Sequence, residues 1–390
     1  MAVAAVPAAN PNLASPLDQA LARCMAPVAE ADSLPPVCYH DADVMVRERP
    51  SVFRRGWLSI GRADMVRQPG DYVTMTIADV PLIVLRDKKG DVRAFANTCR
   101  HRGAQLLAGE GTTDLIRCPF HCWTYRLTGE MIGGPHMDQT ASFDKSDYGL
   151  IAFPTEVRAG FLFVCLDPEA PDLDEQIGDF VAMHAPWPIG DLVLTRRREL
   201  HVDCNWKAFL EVFNEYYHLP YVHPDSLSDL YDPPAPADPV TGDYATQYGV
   251  TEGTGGLLES QQQYALPKIP GLTGKAANGV RYTWLFPNLT FAAGTDALWV
   301  YEAYPDGPER CRIIQSICFP KETMALPDFE DKAEQYYIRL DAALAEDVPA
   351  LVNQQNGISS PFAQPGRFSV LMEPNVATFA TWYAGRLLAA

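Results

Sequence analysis

Two groups of residues carry side chains whose types and spacing suit metal chemistry. In the first, Glu215, His218 and His223 fall within NWKAFLEVFNEYYHLPYVHP, residues 205–224. Trp206, Phe209, Leu210, Phe213 and Tyr217 recur at three- and four-residue steps, which predicts a helix with one apolar face from Asn205 to His218. Glu215 and His218 then share a face on its last turn, and Pro220 ends it. His223, five residues past His218, lies on a different face of any continuous helix and reaches its neighbour only where the chain turns back. Two imidazoles and a nearby acid make a metal site, whereas a solvated polar stripe is the plainer reading of the same residues.

The second group is Cys99 and His101 in CRHRG, followed after sixteen residues by Cys118 and His121 in CPFHCWTYRLTGE. Two loops thus offer two thiolates and two imidazoles. Zinc in a tetrahedral Cys2His2 site, a mixed mononuclear iron, and a [2Fe-2S] cluster with Cys on one iron and His on the other all suit that set. Each pair here is mixed, unlike the usual finger-type zinc pairing, and a mixed pair on each loop lets the loops clamp a binuclear cluster from both sides.

The surrounding elements must present these loops. Tyr72 to Leu85 is rich in β-branched residues, the turn Asp87 to Asp91 contains Gly90, and Val92 to Ala96 returns as a strand into the CRHRG loop. Gly160 to Asp167 reads as a buried strand closing this β unit, and Leu192 to Val202 as a partly exposed strand leading to Asn205. Asp232 to Gly279, rich in Pro and Gly, reads as a long covering loop. Val280 to Pro320 holds four strand-like runs, Phe329 to Asn356 a long helix and Val376 to Leu388 a short one. Strands followed by long helices put the chain in the α+β class.

With 390 residues, 47% hydrophobic and 21% charged, the chain is long enough for two globular domains. A formal net charge of −18 argues against a nucleic-acid partner. No run has the length of a membrane span. The nine cysteines lack the dense spacing of a secreted scaffold and point to the cytoplasm, with Cys24, Cys38, Cys165, Cys204, Cys311 and Cys318 as buried thiols. The Ala- and Pro-rich start has no basic n-region, so a secretory signal is not expected, and it reads as a loosely ordered arm. The expected division is an arm at 1–45, a β domain at 46–167 and a catalytic domain at 168–390.

C-x-H-x16-C-x2-H in this form resembles the Rieske domain of the Rieske non-heme iron (ring-hydroxylating) oxygenases, and the resemblance runs over nearly all of the chain after residue 37. It implies an all-β Rieske domain followed by a catalytic domain whose antiparallel sheet wraps on helices, a helix-grip, Bet v 1-like form. Cys99, His101, Cys118 and His121 would hold a [2Fe-2S] cluster. Ala104 and Phe120 occupy the places of the extra disulfide of respiratory Rieske proteins, and Cys122 stands where many relatives have Gly.

The same resemblance implies a mononuclear Fe(II) on His218, His223 and a late-helix Asp, for which Asp347 is chosen over Asp341 and Glu346. Glu215 would be the acid linking His218 to His121 of a neighbouring subunit. Its being Glu is similar to the branch acting on quaternary ammonium compounds, for which Tyr216, Tyr221, Trp284, Phe286, Trp299 and Tyr301 would form an aromatic cage, although core packing is the commoner role of such residues. An aromatic ring or aromatic acid is the alternative substrate, oxidised by a dioxygenase of the same family. The implied partners are O2, a small-molecule substrate and an NAD(P)H-dependent flavin or ferredoxin reductase, in a homotrimer. A Rieske electron carrier and a zinc hydrolase are the competing readings.

Overall fold

The computed structural model describes residues 15–227 and 230–389. The chain divides into two compact units: Phe53–Leu173, and Asp174–Ala390 together with the described part of Met1–Val52. The β unit therefore starts and ends a few residues later than the 46–167 read from the sequence.

Within Phe53–Leu173 the strands are β1 (Trp57–Arg62), β2 (Asp71–Ile77), β3 (Val80–Arg86), β4 (Val92–Ala96), β5 (Glu110–Thr112), β6 (Ile116–Arg117), β7 (Thr124–Tyr125), β8 (Met131–Gly133), β9 (Ala152–Phe153), β10 (Thr155–Arg158) and β11 (Phe161–Cys165). They form antiparallel sheets in the orders β1-β11-β10, β5-β2-β3-β4-β9 and β6-β7-β8. The apolar run from Tyr72 is two strands, because Ala78 and Asp79 adopt φ of 47° and 65°, the left-handed pair of a tight hairpin turn. The next turn is organised by Asp87, whose Oδ1 accepts from the Lys89 and Asp91 amides at 2.8 and 3.1 Å, with Gly90 at φ 93°. β4 then opens into the first Cys/His loop, and the β6–β7 hairpin carries the second.

The other unit is built on an antiparallel sheet of β12 (Val193–Val202), β13 (Tyr244–Val250), β14 (Gly279–Leu285), β15 (Leu289–Ala293), β16 (Leu298–Pro305) and β17 (Cys311–Phe319), in the order β12-β17-β16-β15-β14-β13. The four runs expected between residues 280 and 320 are β14 to β17. The covering loop at 232–279 is a correction: it contains edge strand β13, registered on β14 from Tyr244↔Leu285 to Val250↔Gly279. Its seven residues were hidden among Pro and Gly on both sides. Helix Phe329–Ile358 and helix Pro374–Leu388 complete the unit, the latter stacking Phe379 on Trp284 at 3.9 Å.

The loose arm is a second correction. Residues 16–24 form a helix capped by Ser15, with Leu21 and Cys24 buried, and Thr381 donates to the Cys24 carbonyl at 3.1 Å. Residues 42–48 form another, whose Glu48 is 2% exposed and ion-paired with Lys207 at 2.5 Å. Residues 1–14 lie outside the described residues.

Candidate metal centres

The 205–224 stretch is not one helix. It runs from Trp206 to Phe213, and Asn214 stops it by donating its side-chain amide to the Leu210 carbonyl at 2.7 Å and accepting from Thr290 at 3.0 Å. Glu215 therefore sits on a turn, where its carboxylate accepts from the backbone N–H groups of Tyr217 and His218. A short helix, Leu219–Val222, then starts at His218, with Pro220 in its first turn rather than closing the previous helix. Glu215 and His218 meet through this turn and not through a shared helix face.

The turn brings His218 and His223 together, their ring centroids 5.2 Å apart. Asp347, from the long helix, completes a group of three whose ligand atoms all lie within 4.8 Å of one another. Its Oδ1 lies 3.0 Å from His223 Nε2 and 3.7 Å from His218 Nε2, yet it is buried and makes no hydrogen bond of normal geometry. A buried carboxylate oxygen with no donor, facing two imidazole nitrogens, fits a cation held among the three. The far nitrogens are occupied: His218 Nδ1 by Glu215 Oε1 at 2.5 Å and His223 Nδ1 by Glu346 Oε2 at 2.6 Å. These acids fix the tautomers that leave both Nε2 lone pairs for a metal. Burial pulls the His223 pKa down, but Asp347 and Glu346 outweigh it and hold it above its ordinary value. Asp341, the other acid weighed, is instead paired with Arg196 and Arg198.

In the β unit, Cys99 and Cys118 are buried, while the His101 and His121 rings lie 4.8 Å apart, edge to face. These four do not converge on one point: among the described residues, only His218, His223 and Asp347 group as single-ion ligands. A tetrahedral zinc site needs such convergence; a binuclear cluster spreads its ligands over two irons and does not. Arg102 Nη2 donates to His121 Nε2 at 2.6 Å, which leaves the Nδ1 of that ring for a metal. Partial desolvation and the Arg102 and His101 charges hold His121 below its ordinary pKa, the neutral form a ligand requires. Burial works against ionising Cys118, but the His121 and Phe120 amides and Cys99 hold its pKa below the usual thiol value. Cys122 adopts φ 58°, a left-handed backbone that accounts for glycine being common at this place.

The Tyr125 hydroxyl, on which the spacing of the loop gave no signal, lies 3.4 Å from Cys99 Sγ and accepts from the Arg100 amide at 3.2 Å, while Trp123 stacks on His101 at 4.8 Å.

A cavity opens onto His218, His223 and Asp347. Of the six aromatics expected around a substrate, Tyr216 and Tyr301 line it, joined by Phe209, Phe213 and Tyr282. Trp284 and Phe286 instead pack under the C-terminal helix, and Tyr221 is 76% exposed. Tyr282 lies two residues before Trp284 on the same face of β14, so choosing Trp284 by alternation would have included Tyr282 as well.

A β unit with paired Cys/His loops, joined in one chain to a helix-wrapped sheet carrying two histidines and an aspartate, defines a Rieske-type non-heme iron oxygenase. Residues 56–144 match the Rieske [2Fe-2S] domain and residues 189–389 the catalytic domain of the ring-hydroxylating alpha subunits, and the chain belongs to that family. It is an oxygenase whose cofactors are a Rieske [2Fe-2S] cluster and a mononuclear iron. The carnitine monooxygenase oxygenase subunit of Acinetobacter baumannii is 28% identical, over 84% of this chain and 85% of its own. The glycine betaine monooxygenase oxygenase subunit of Chromohalobacter salexigens is 27% identical, over 91% and 86%. A solved quaternary ammonium Rieske monooxygenase superposes with a TM-score of 0.79 at 25% identity, over 94% of this chain and 98% of that one. No helix among the described residues is long and apolar enough to cross a membrane.

Proposed function

We propose that this chain is the terminal oxygenase that oxidises a C–H bond of a small quaternary ammonium compound. In this reading Cys99, His101, Cys118 and His121 hold the cluster, and His218, His223 and Asp347 hold the iron. The observation that carries the site is the buried Asp347 oxygen, without a hydrogen bond, facing two imidazole nitrogens. When bound, the cluster would supply single electrons and the iron would supply the activation of dioxygen.

The chain's own residues do the rest. Glu215 and Glu346 keep the outer protons of His218 and His223 in place, so that the inner nitrogens stay free of protons. Phe209, Phe213, Tyr216, Tyr282 and Tyr301 wall the cavity. Their ring faces attract an onium cation that has no hydrogen to donate, and they shed the water that would compete with it. Glu215 links His218 to His121 of a neighbouring copy, in a homotrimer of the cytoplasm supplied from NAD(P)H by a flavin or ferredoxin reductase. The names of the relatives, carnitine and glycine betaine monooxygenase oxygenase subunits, support the substrate class.

Anaerobically purified protein should hold about three irons and two acid-labile sulfides per chain. With reductase, NADH and a quaternary amine it should release formaldehyde or a hydroxylated product. Turnover of aromatic acids alone would move the reading to the aromatic branch of the family.

A further inference from the structure

Arg339 lines the same cavity, eight residues before Asp347 on the long helix. Four-residue steps put Arg339, Ala343 and Asp347 on one helix face, and all three border the cavity. Only 4% of the arginine is exposed. A guanidinium taken out of water is strongly unfavourable without an anion beside it. Yet among the described residues no carboxylate pairs with Arg339. Its Nη2 donates weakly to Tyr231 Oη at 3.4 Å, its Nε is buried with no acceptor, and its charge lies 5.2 Å from the Trp299 ring. The two acids of the cavity are committed elsewhere, Glu215 to His218 and Asp347 between the imidazoles.

We propose that Arg339 is the anchor for a carboxylate carried by the substrate. A planar fork of N–H donors matches a carboxylate, and one cation balances one negative charge where a phosphate dianion would leave an excess. The further step rests on the quaternary-ammonium reading above: the substrate is then a zwitterionic betaine and not an amino alcohol such as choline. Eight residues of helix separate the Cα atoms of Arg339 and Asp347 by about 12 Å. The carboxylate therefore sits at the opposite end of the molecule from the carbon that is oxidised. A zwitterion has no net charge, so the formal charge of −18 on the chain does not repel it at long range as it would a simple organic anion.

The test is calorimetric binding of glycine betaine, carnitine, choline and benzoate to the anaerobic holoprotein, as wild type, R339K and R339Q. The betaines should bind wild type about tenfold or more tighter than choline, the range expected for a hydrogen-bonded charge pair. R339Q should bring the betaines down to the choline level without weakening choline, and R339K should keep part of the preference. Equal binding of betaines and choline to wild type, or an unchanged preference in R339Q, overturns the anchor. Benzoate binding that is lost in R339Q, with no betaine bound, keeps the anchor and overturns the quaternary-ammonium reading. Thermal shifts of wild type provide a comparison that needs no variant: the betaines should raise its Tm more than choline does, and the opposite order counts against the anchor.

Discussion

Glu346 and Asp347, adjacent on one helix, hold opposite nitrogens of His223: Glu346 Oε2 lies 2.6 Å from Nδ1 and Asp347 Oδ1 3.0 Å from Nε2. Neighbouring acids on a helix point about 100° apart, which lets one orient the ring from outside while the other faces the space between the two imidazoles. Asp347→Ala should abolish mononuclear iron binding, and Glu346→Gln should weaken it by roughly 10- to 100-fold, the range for losing the outer partner of a ligating histidine. Iron titration of the stripped protein decides, and the reverse order would exchange the two roles.

Glu215→Gln keeps the shape of the side chain and removes its charge. The cluster should remain and iron affinity should fall by the same roughly 10- to 100-fold, while with iron restored by excess Fe(II) NADH-driven turnover should still be down about tenfold or more. Metal analysis beside stopped-flow reoxidation of the cluster separates the cases. Turnover fully recovered by added Fe(II) would make Glu215 an orienting group for His218 and nothing more.

Tyr125→Phe deletes a hydroxyl 3.4 Å from the Cys99 sulfur. Donation to a cluster sulfur favours the reduced, more negative state. Losing about 1 kcal/mol of that preference lowers a one-electron potential by about 40 mV. Spectroelectrochemistry reads this directly, and an unchanged potential would leave the tyrosine as packing.

Glu211 is buried, and burial raises its pKa from 4.5 to about 7, against the hydrogen bond from Tyr39 and the charge of Lys207. The folded state therefore holds this proton more tightly than the unfolded chain. Its stabilising contribution is complete below about pH 4.5 and is lost as pH rises through about 7. Glu211→Gln, which still accepts from Tyr39, should gain roughly 3 kcal/mol on wild type between pH 4.5 and 8. Urea midpoints at pH 5 and 8 measure it; parallel profiles for the two proteins would contradict the assignment.

The residue types and spacings of the candidate ligands were legible in the sequence because each lies on a short local segment: Cys99 and His101 on one loop, Cys118 and His121 on another, His218 and His223 on a third. The four strands after residue 280 were equally readable, being apolar runs between clear turns. What could not be read was set by distant partners. The helix from Asn205 looks continuous to His218, but Thr290 from another strand helps hold Asn214 in its stop. Tyr282 and Trp284 share one face of β14, and what separates the one bordering the cavity from the one under helix Pro374–Leu388 is the placement of that helix, a fact no pattern within the strand carries. Arg339 resembles any charged helical residue until its burial is seen.

The pairing of Glu48 with Lys207 has a consequence for how the chain can be cut and built. Residues 16–52 belong to the unit whose remainder begins at Asp174, so the β unit is an insertion within it. A fragment starting after the β unit would strip Lys207 of both the carboxylate that pairs with it and the Tyr39 ring that packs on its ammonium. The same holds during synthesis: the leading segment leaves the ribosome long before its partner, and must stay unclaimed while more than a hundred residues of another unit fold in between.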